Sequence, residues 1–404
     1  MKPATVIAVL LTVVLLSVTT GCWNRKELND LAITAGLGID LTDNGEYRVS
    51  AQVVKPGEIT KSKGSSLSSP VLLYSETGST VFEAIRKMTI SSPRKIYLAH
   101  LRILVIGEKL ARKGIGEALD LVSRDQELRT DFFIVVAKGG KAEDVLKALT
   151  PLDTIPSVKM FNSLEISEKV WAPTAKVTLD KLVTAFASTG RQPVLSAIQL
   201  TGDKEIGNQT ANLERIEQAA YLKYTGLAAL KEDKLVGWLN ENESKGLNYM
   251  LGNVKSTVGF VNCPGGGKTA MEVIRTVSSM KARIVDGKPV ADVVVRMETN
   301  VGEVMCKIDL TKEESILDLE RRSNQMVKSF IAAALQQAQK QLKVDIFGFG
   351  EAVHRADPKV WRQLEPDWDR HFSNMQIHVK VISKVRRVGT TNNSFLNKLK
   401  EDPG

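Results

Sequence analysis

The chain has 404 residues, of which 43% are hydrophobic and 25% charged, with a formal net charge of +9. That is ordinary globular material, long enough for two or three domains, and it excludes a disordered polypeptide. With aromatic residues at 5% there is little stacking platform for nucleic acid, and the small cationic excess fits a mixed, solvated surface.

The first segment is an export signal. Lys2 supplies the positive end, Ala4 to Val18 the apolar run, and Thr19, Thr20 and Gly21 the small residues before Cys22. The run is shorter than the roughly 20 apolar residues that cross a bilayer. Gly21-Cys22 has the form of a bacterial lipobox, which predicts cleavage after Gly21 and a diacylglyceryl group on the Cys22 sulfur, the alternatives being an ordinary cleaved signal or an uncleaved anchor. Two acyl chains anchor a protein stably, where one gives only marginal binding. Nucleic acid is no partner for a chain exported in this way.

Leu31 to Asp40 reads as a strand, Asn44-Gly45 as a turn and Tyr47 to Val54 as an alternating strand, together a hairpin. Lys61 to Pro70, rich in Ser, Gly and Lys, is a loop. Strands follow at Val71 to Ser75, Leu101 to Ile106 and Asp131 to Val136, alternating with helices at Thr80 to Met88, Ile115 to Val122 and Lys141 to Leu149. Such alternation predicts helices packed on a sheet. Two more helices, Ser157 to Glu168 and Thr178 to Phe186, precede a strand at Val194 to Leu200.

Gly202 to Gln218 is polar, without apolar periodicity, and predicts a linker between an N-terminal region (22–201) and a C-terminal domain (219–390). Short strands are expected at Ala219 to Tyr224, Ala228 to Leu230 and Leu235 to Trp238, then a helix at Glu241 to Leu251. Longer strands follow at Ser256 to Val261, Ala270 to Lys281 and Ala291 to Thr299, with Asp286-Gly287 as a turn and a further strand at Met305 to Leu310. In Glu313 to Leu342, the longest helix, Leu319, Val327, Ile331, Ala334, Ala338 and Leu342 form one apolar stripe with Phe330 beside it, so this helix packs on the C-terminal sheet. The last strand, Ile377 to Val388, alternates Ile377, Val379 and Val381 with His378, Lys380 and Ile382, and residues 391–404 form a tail. The fold class is α+β: an N-terminal α/β region, then an antiparallel-rich C-terminal sheet packed by one long helix.

Catalytic motifs are absent or broken. Pro264-Gly265-Gly266-Gly267-Lys268-Thr269 fails as a phosphate loop because Asn262 stands where glycine is needed and strands flank it on both sides. Gly348-Phe349-Gly350 lacks the third glycine of a dinucleotide fingerprint, which is Val353. Ser92 to Lys95 is interrupted by Pro93, and Ser278 to Lys281 lies in a strand, where residues three apart point to opposite faces. His100, His354, His371 and His378 belong to no metal or triad motif. The reading is no enzyme, no cofactor and no metal. With Cys22 acylated, Cys263 and Cys306 are left, which permits a disulfide without demanding one. Trp361, Trp368, Asp345 and Arg355 are candidates for an interaction surface, the plainer alternative being aromatics that cover the edge of the C-terminal core.

Four stretches resemble one family. Cys22-Trp23-Asn24-Arg25-Lys26-Glu27-Leu28-Asn29-Asp30 with Gly36-Leu37-Gly38-Ile39-Asp40, then Leu235 to Leu239 with Glu243 to Leu247, then Cys263 to Lys268 are three of them. The fourth is Asp345 to Gly350 with His354-Arg355, Trp361, Trp368 and the strand closing on Gly389. All are similar, in order and spacing, to the Ger(x)C family, the lipoprotein C-subunits of spore nutrient-germinant receptors. The resemblance implies a non-enzymatic subunit tethered through Cys22 to the outer face of the spore's inner membrane. Its implied partners are membrane lipid and multi-span A-type and B-type subunits. The alternative from another class is a lipid-anchored solute-binding protein, which predicts a deep cleft between two similar lobes.

Overall fold

The computed structural model describes residues 3–5, 7, 27–59 and 69–389. Cys22, most of the export signal, residues 61–68 of the expected loop and the 391–404 tail lie outside the described residues.

The N-terminal hairpin pairs β1 (Leu31–Leu41) with β2 (Tyr47–Val54), and β3 (Val71–Gly78) adds to β2. Then follow helix α1 (Val81–Lys87), β4 (Lys95–Tyr97), β5 (Ile103–Gly107), α2 (Glu108–Lys113), α3 (Gly116–Arg124), β6 (Phe133–Ala137), α4 (Ala142–Lys147), α5 (Pro156–Val170), α6 (Leu179–Ala187) and β7 (Val194–Gly202). Strands β8 (Ala220–Lys231) and β9 (Lys234–Leu239) complete a nine-stranded sheet ordered β3-β2-β1-β5-β6-β7-β8-β9, with β4 beside β1. Its centre, β1-β5-β6-β7, is parallel and both flanks are antiparallel. Alternation assigns the faces: Leu104, Ile106, Ile134 and Val136 pack under α1, α2, α3 and α6. Ile103, Val105, Phe133 and Val135 pack under α4 and α5. A parallel core covered on both faces needs such continuous apolar runs.

The expected linker does not separate two sheets. Residues 202–218 connect β7 to β8, which are hydrogen-bonded neighbours, so the large sheet runs across that stretch. The expected short strands at 219–224 and 228–230 are one strand with a register shift.

The second unit begins at α7 (Glu241–Leu251), started by a capping box in which Asn240 and Glu243 bond each other's backbone. Strands β10 (Thr257–Asn262), β11 (Lys268–Val285) and β12 (Lys288–Val304) form an antiparallel meander, and β13 (Gln376–Arg387) pairs parallel with β12. Between them come α8 (Glu313–Gln336), α9 (Phe349–Ala356), α10 (Pro358–Leu364) and α11 (Trp368–Ser373). The predicted stripe of α8 is buried at Leu319, Val327, Ile331 and Ala334, against α7 and one face of the sheet. The strand expected at Met305 to Leu310 does not form, because after Met305 donates to the Lys268 carbonyl the segment has no strand left to pair with.

Two local predictions arise here. Gly246 of α7 lies so close to α8 that an added Cβ would sit 2.1 Å from the Phe330 carbonyl oxygen. Gly246→Ala is expected to cost about 1–3 kcal/mol through overpacking, read as a lower denaturant midpoint. In the large sheet the buried Asp40 carboxylate accepts from the Ala142 and Glu143 amides at 2.8 and 3.0 Å, capping α4. Arg48 grips the Glu143 carboxylate with two N–H groups, at 2.6 and 3.0 Å, which with Lys147 holds that acid down to about 2. The depressed value makes this stabilisation complete above the ordinary 4.5 and lost as pH falls through about 2. Stability of Arg48→Met is therefore expected to fall less steeply than wild type in acid denaturation; identical acid slopes would refute the coupling.

Candidate functional site at the junction of the two sheets

The chain leaves α8 through a π-helical turn at Gln337–Leu342, and Lys343 adopts a left-handed φ of 55° before Val344. The next residue, Asp345, is 1% exposed and organises everything that follows. One carboxylate oxygen accepts from the Phe347 and Gly348 amides at 3.1 and 2.9 Å. The other accepts from the Gly350 amide at 2.8 Å and from Trp368 Nε1 at 3.0 Å. Burial pushes the Asp345 carboxyl up to about 6, against the pull of these N–H donors.

Trp368 packs edge-on against Trp361, with ring centroids 5.1 Å apart, and Phe347, Phe349 and Phe372 complete the cluster. Trp361 and Trp368 are 2% and 6% exposed. Of the four candidates for an interaction surface, Trp361, Trp368 and Asp345 are interior, in line with the plainer alternative of aromatics belonging to the C-terminal core, and Arg355 is exposed. A buried carboxylate that accepts four N–H groups is internal architecture, because a solvent-facing acid would spend those lone pairs on water.

This loop is also where the two sheets meet. The segment between α6 and β7 supplies the Gln192 amide to the Asp345 carbonyl at 2.7 Å and the Gly190 carbonyl to the Glu351 amide at 3.3 Å. Ser188 donates its hydroxyl to Glu351 at 2.8 Å. Gly190 and Gly350 touch backbone to backbone: a Cβ on Gly190 would lie 2.4 Å from the Glu351 nitrogen. From the far side of the junction, Asn248 of α7 donates to the Ala172 and Thr174 carbonyls at 2.8 and 3.0 Å. Lys245 lies 3.4 Å over the Trp171 ring. Residue types at these positions carry no motif; Ser188, Gly190, Gln192 and Asn248 matter through long-range pairing, which a single sequence does not display.

A cleft of about 400 Å³ opens beside the junction, walled by Lys176, Asp180, Arg191, Asn248, Asn253 and Glu351. Lys176 is held by Glu168 at 3.1 Å and Glu165 at 3.5 Å. Of the hydroxyls that line the cleft, Ser188 donates to Glu351 and Thr184 to the Asp180 carbonyl. Among the described residues no group of three or more His, Cys, Asp or Glu is placed to hold a metal ion.

The remaining motifs resolve simply. Pro264 to Gly267 is the turn between β10 and β11, closed by Gly266 N–H to the Cys263 carbonyl and Cys263 N–H to the Gly267 carbonyl. Cys263 and Cys306 are joined, at an S–S distance of 2.07 Å. Ser92 donates to the Arg94 carbonyl, while Ser278 and Lys281 sit on opposite faces of β11.

Fold and junction thus define a two-unit α+β protein in which a buried carboxylate network lies where one sheet meets the other. The chain belongs to the spore germination GerAC, or Ger(x)C, family. The profile described as "Spore germination protein N-terminal domain" matches residues 24–200, and that described as "Spore germination B3/ GerAC like, C-terminal" matches residues 225–389. Spore germination protein KC of Bacillus subtilis (strain 168) is 31% identical over 98% of this chain and 98% of its own length. Spore germination protein B3 of the same organism is 25% identical over 92% of this chain and 94% of its own. The crystal structure of the GerBC protein has the same fold, at a TM-score of 0.56 and 21% identity, covering 87% of this chain and 96% of that one.

Proposed function

We propose that this protein is the lipid-anchored, non-enzymatic C-subunit of a spore nutrient germinant receptor, held at the outer face of the spore's inner membrane. It acts by scaffolding or gating multi-span A-type and B-type subunits. The observation that carries this is end-to-end similarity, over 98% of both chains, to a protein named for spore germination. The Gly21-Cys22 lipobox supports the tether, and the clasped junction supports a rigid body that transmits position rather than chemistry. The rival, a lipid-anchored solute-binding protein, calls for two similar lobes; the nine-stranded mixed sheet and the four-stranded sheet are unlike.

The test is metabolic labelling of wild type and Cys22→Ala with a fatty-acid probe, coupled to membrane fractionation, co-purification and germination. Wild type is expected to carry label and bring down a multi-span partner. Cys22→Ala is expected to be unlabelled, released from the membrane and defective in germination. A Cys22→Ala protein that is equally membrane-bound and equally active would sink the reading.

A further inference from the structure

The four-stranded sheet has two faces, and the helices use one of them. Inward side chains of β11 and β12, among them Val273, Val293, Val295 and Met297, are buried in the core that α7, α8 and α9 share. Successive residues of a strand point to opposite faces. On the outer face Arg275, Val277, Ser279, Lys281 and Arg296 are exposed, as is Lys380 of β13.

Register arranges these side chains in rows across three strands. Val277 lies opposite Arg296, and Arg296 opposite Ile382. In the next row Ser279 faces Val294, and Val294 faces Lys380. Lys281 faces Asp292 one row further on, and Arg275 faces Glu298 on the other flank. Opposed side chains stand about 5 Å apart and rows about 7 Å apart. Val277, 50% exposed, therefore forms a small aliphatic centre with the half-buried Val294 and Ile382, and the cations stand around it.

Charge on this face does not cancel. Asp292 is taken by Arg283 at 3.0 Å and His378 at 3.1 Å, and Glu298 by Arg386 at 2.9 Å. Lys281, Arg296 and Lys380 make no ion pair among the described residues, and Arg275 reaches Glu298 only at longer range. The remaining acids of these strands, Glu272 and Glu303, lie at the far end, beside Asn300 and Ala270. Like charges gathered in this way repel one another in the folded chain.

An aliphatic centre with an arginine-rich polar surround is the anatomy of a protein interface. Asp292 and Glu298, fixed in the middle strand, speak against a lipid leaflet, because an anionic bilayer presents a plane of phosphates that both would repel. A polypeptide can set carboxylates over the cations and apolar side chains over the centre one by one.

We infer that the outer face of the four-stranded sheet is a docking surface for an acidic segment of a partner protein. Its carboxylates meet Arg275, Lys281, Arg296 and Lys380 around an aliphatic contact at Val277, Val294 and Ile382. The partner is another subunit of the receptor, an assignment that rests on the function proposed above.

The experiment places a photo-crosslinking amino acid at Ser279 of the full-length protein, and at Asn44 of the large sheet in a control, before the receptor is purified from spore membranes. The Ser279 protein is expected to form an adduct with a multi-span subunit, through a peptide that holds several Asp or Glu residues, and the Asn44 protein is not. Lys281→Glu/Arg296→Glu changes two exposed side chains and leaves the core intact. It is expected to lower the yield of that adduct about tenfold or more, since like charges then face each other across the interface. Changing the crosslinked acids to Lys is expected to restore part of the yield, which a misfolded double variant would not allow. An adduct with lipid, or with a peptide free of acids, overturns the inference. So does a subunit that co-purifies without any adduct at Ser279, and that result leaves the receptor reading standing. Absence of any multi-span partner from the wild-type purification overturns both.

Discussion

Asp345→Ala is expected to destabilise the protein by about 3–5 kcal/mol, the scale seen when one partner of a buried charged network is removed. Two opposing effects set the sign. Truncation relieves the desolvation that raises this acid from its ordinary 3.8 to about 6, worth roughly 3 kcal/mol at 1.36 kcal/mol per unit. It also orphans the amides of Phe347, Gly348 and Gly350 and the Trp368 indole N–H, at about 1–3 kcal/mol each, so the orphaned donors win. Asp345→Asn keeps one acceptor oxygen but turns an amide N–H₂ toward two other donors, and an intermediate loss is expected. Linkage gives an independent check. Because the folded value is raised, this group's contribution is fully present below about 3.8, is lost as pH rises through about 6, and runs opposite to that of Glu143. Urea titrations of wild type and Asp345→Asn across pH 4 to 7 should show a downward slope in the former that is absent from the latter. Equal stability of Asp345→Ala and wild type would remove Asp345 as the organiser of the junction.

Local signals were legible. The Asn44-Gly45 turn, the helix from Glu241 to Leu251 and the α8 stripe each act over a few residues, and each forms as periodicity and turn chemistry require. What pairs across distance was not. The 202–218 segment reads as a linker because it is polar, yet Asn212 within it is fully buried, its side chain bonded to the Leu149 and Ala220 carbonyls and the Ala220 amide. A polar side chain that satisfies backbone groups is compatible with burial, and composition cannot separate it from a solvated one. Trp361, Trp368 and Asp345 carry the same ambiguity: tryptophans beside an acid fit a contact surface or a core edge alike, until the acid is seen to be saturated from within. Met305 to Leu310 failed for the complementary reason, since strand propensity expresses itself only where a neighbouring strand is free to pair.

Removing the Cys263–Cys306 bridge is expected to cost about 4 kcal/mol, the chain-entropy value for a closed loop of 43 residues. The bridge closes the start of the β10–β11 turn onto the segment just after β12, so the loop it constrains is the whole β11–β12 hairpin. That hairpin end rests on a small separate core of Val261, Met271, Val301, Leu310 and Leu319. A core of that size supplies little stabilisation by itself, and the covalent link supplements it where β10, at the sheet edge, would otherwise fray. Comparing oxidised wild type with Cys263→Ser/Cys306→Ser in urea should give a lower midpoint for the double variant. A steeper denaturant slope is expected as well, because the unbridged unfolded chain exposes more surface. Hydrogen exchange should localise the loss: faster exchange in β10 and the first turns of α8, with the large sheet unchanged. If midpoint and slope are both unaltered, the bridge is a passive neighbour contact and the C-terminal unit holds its edge by packing alone.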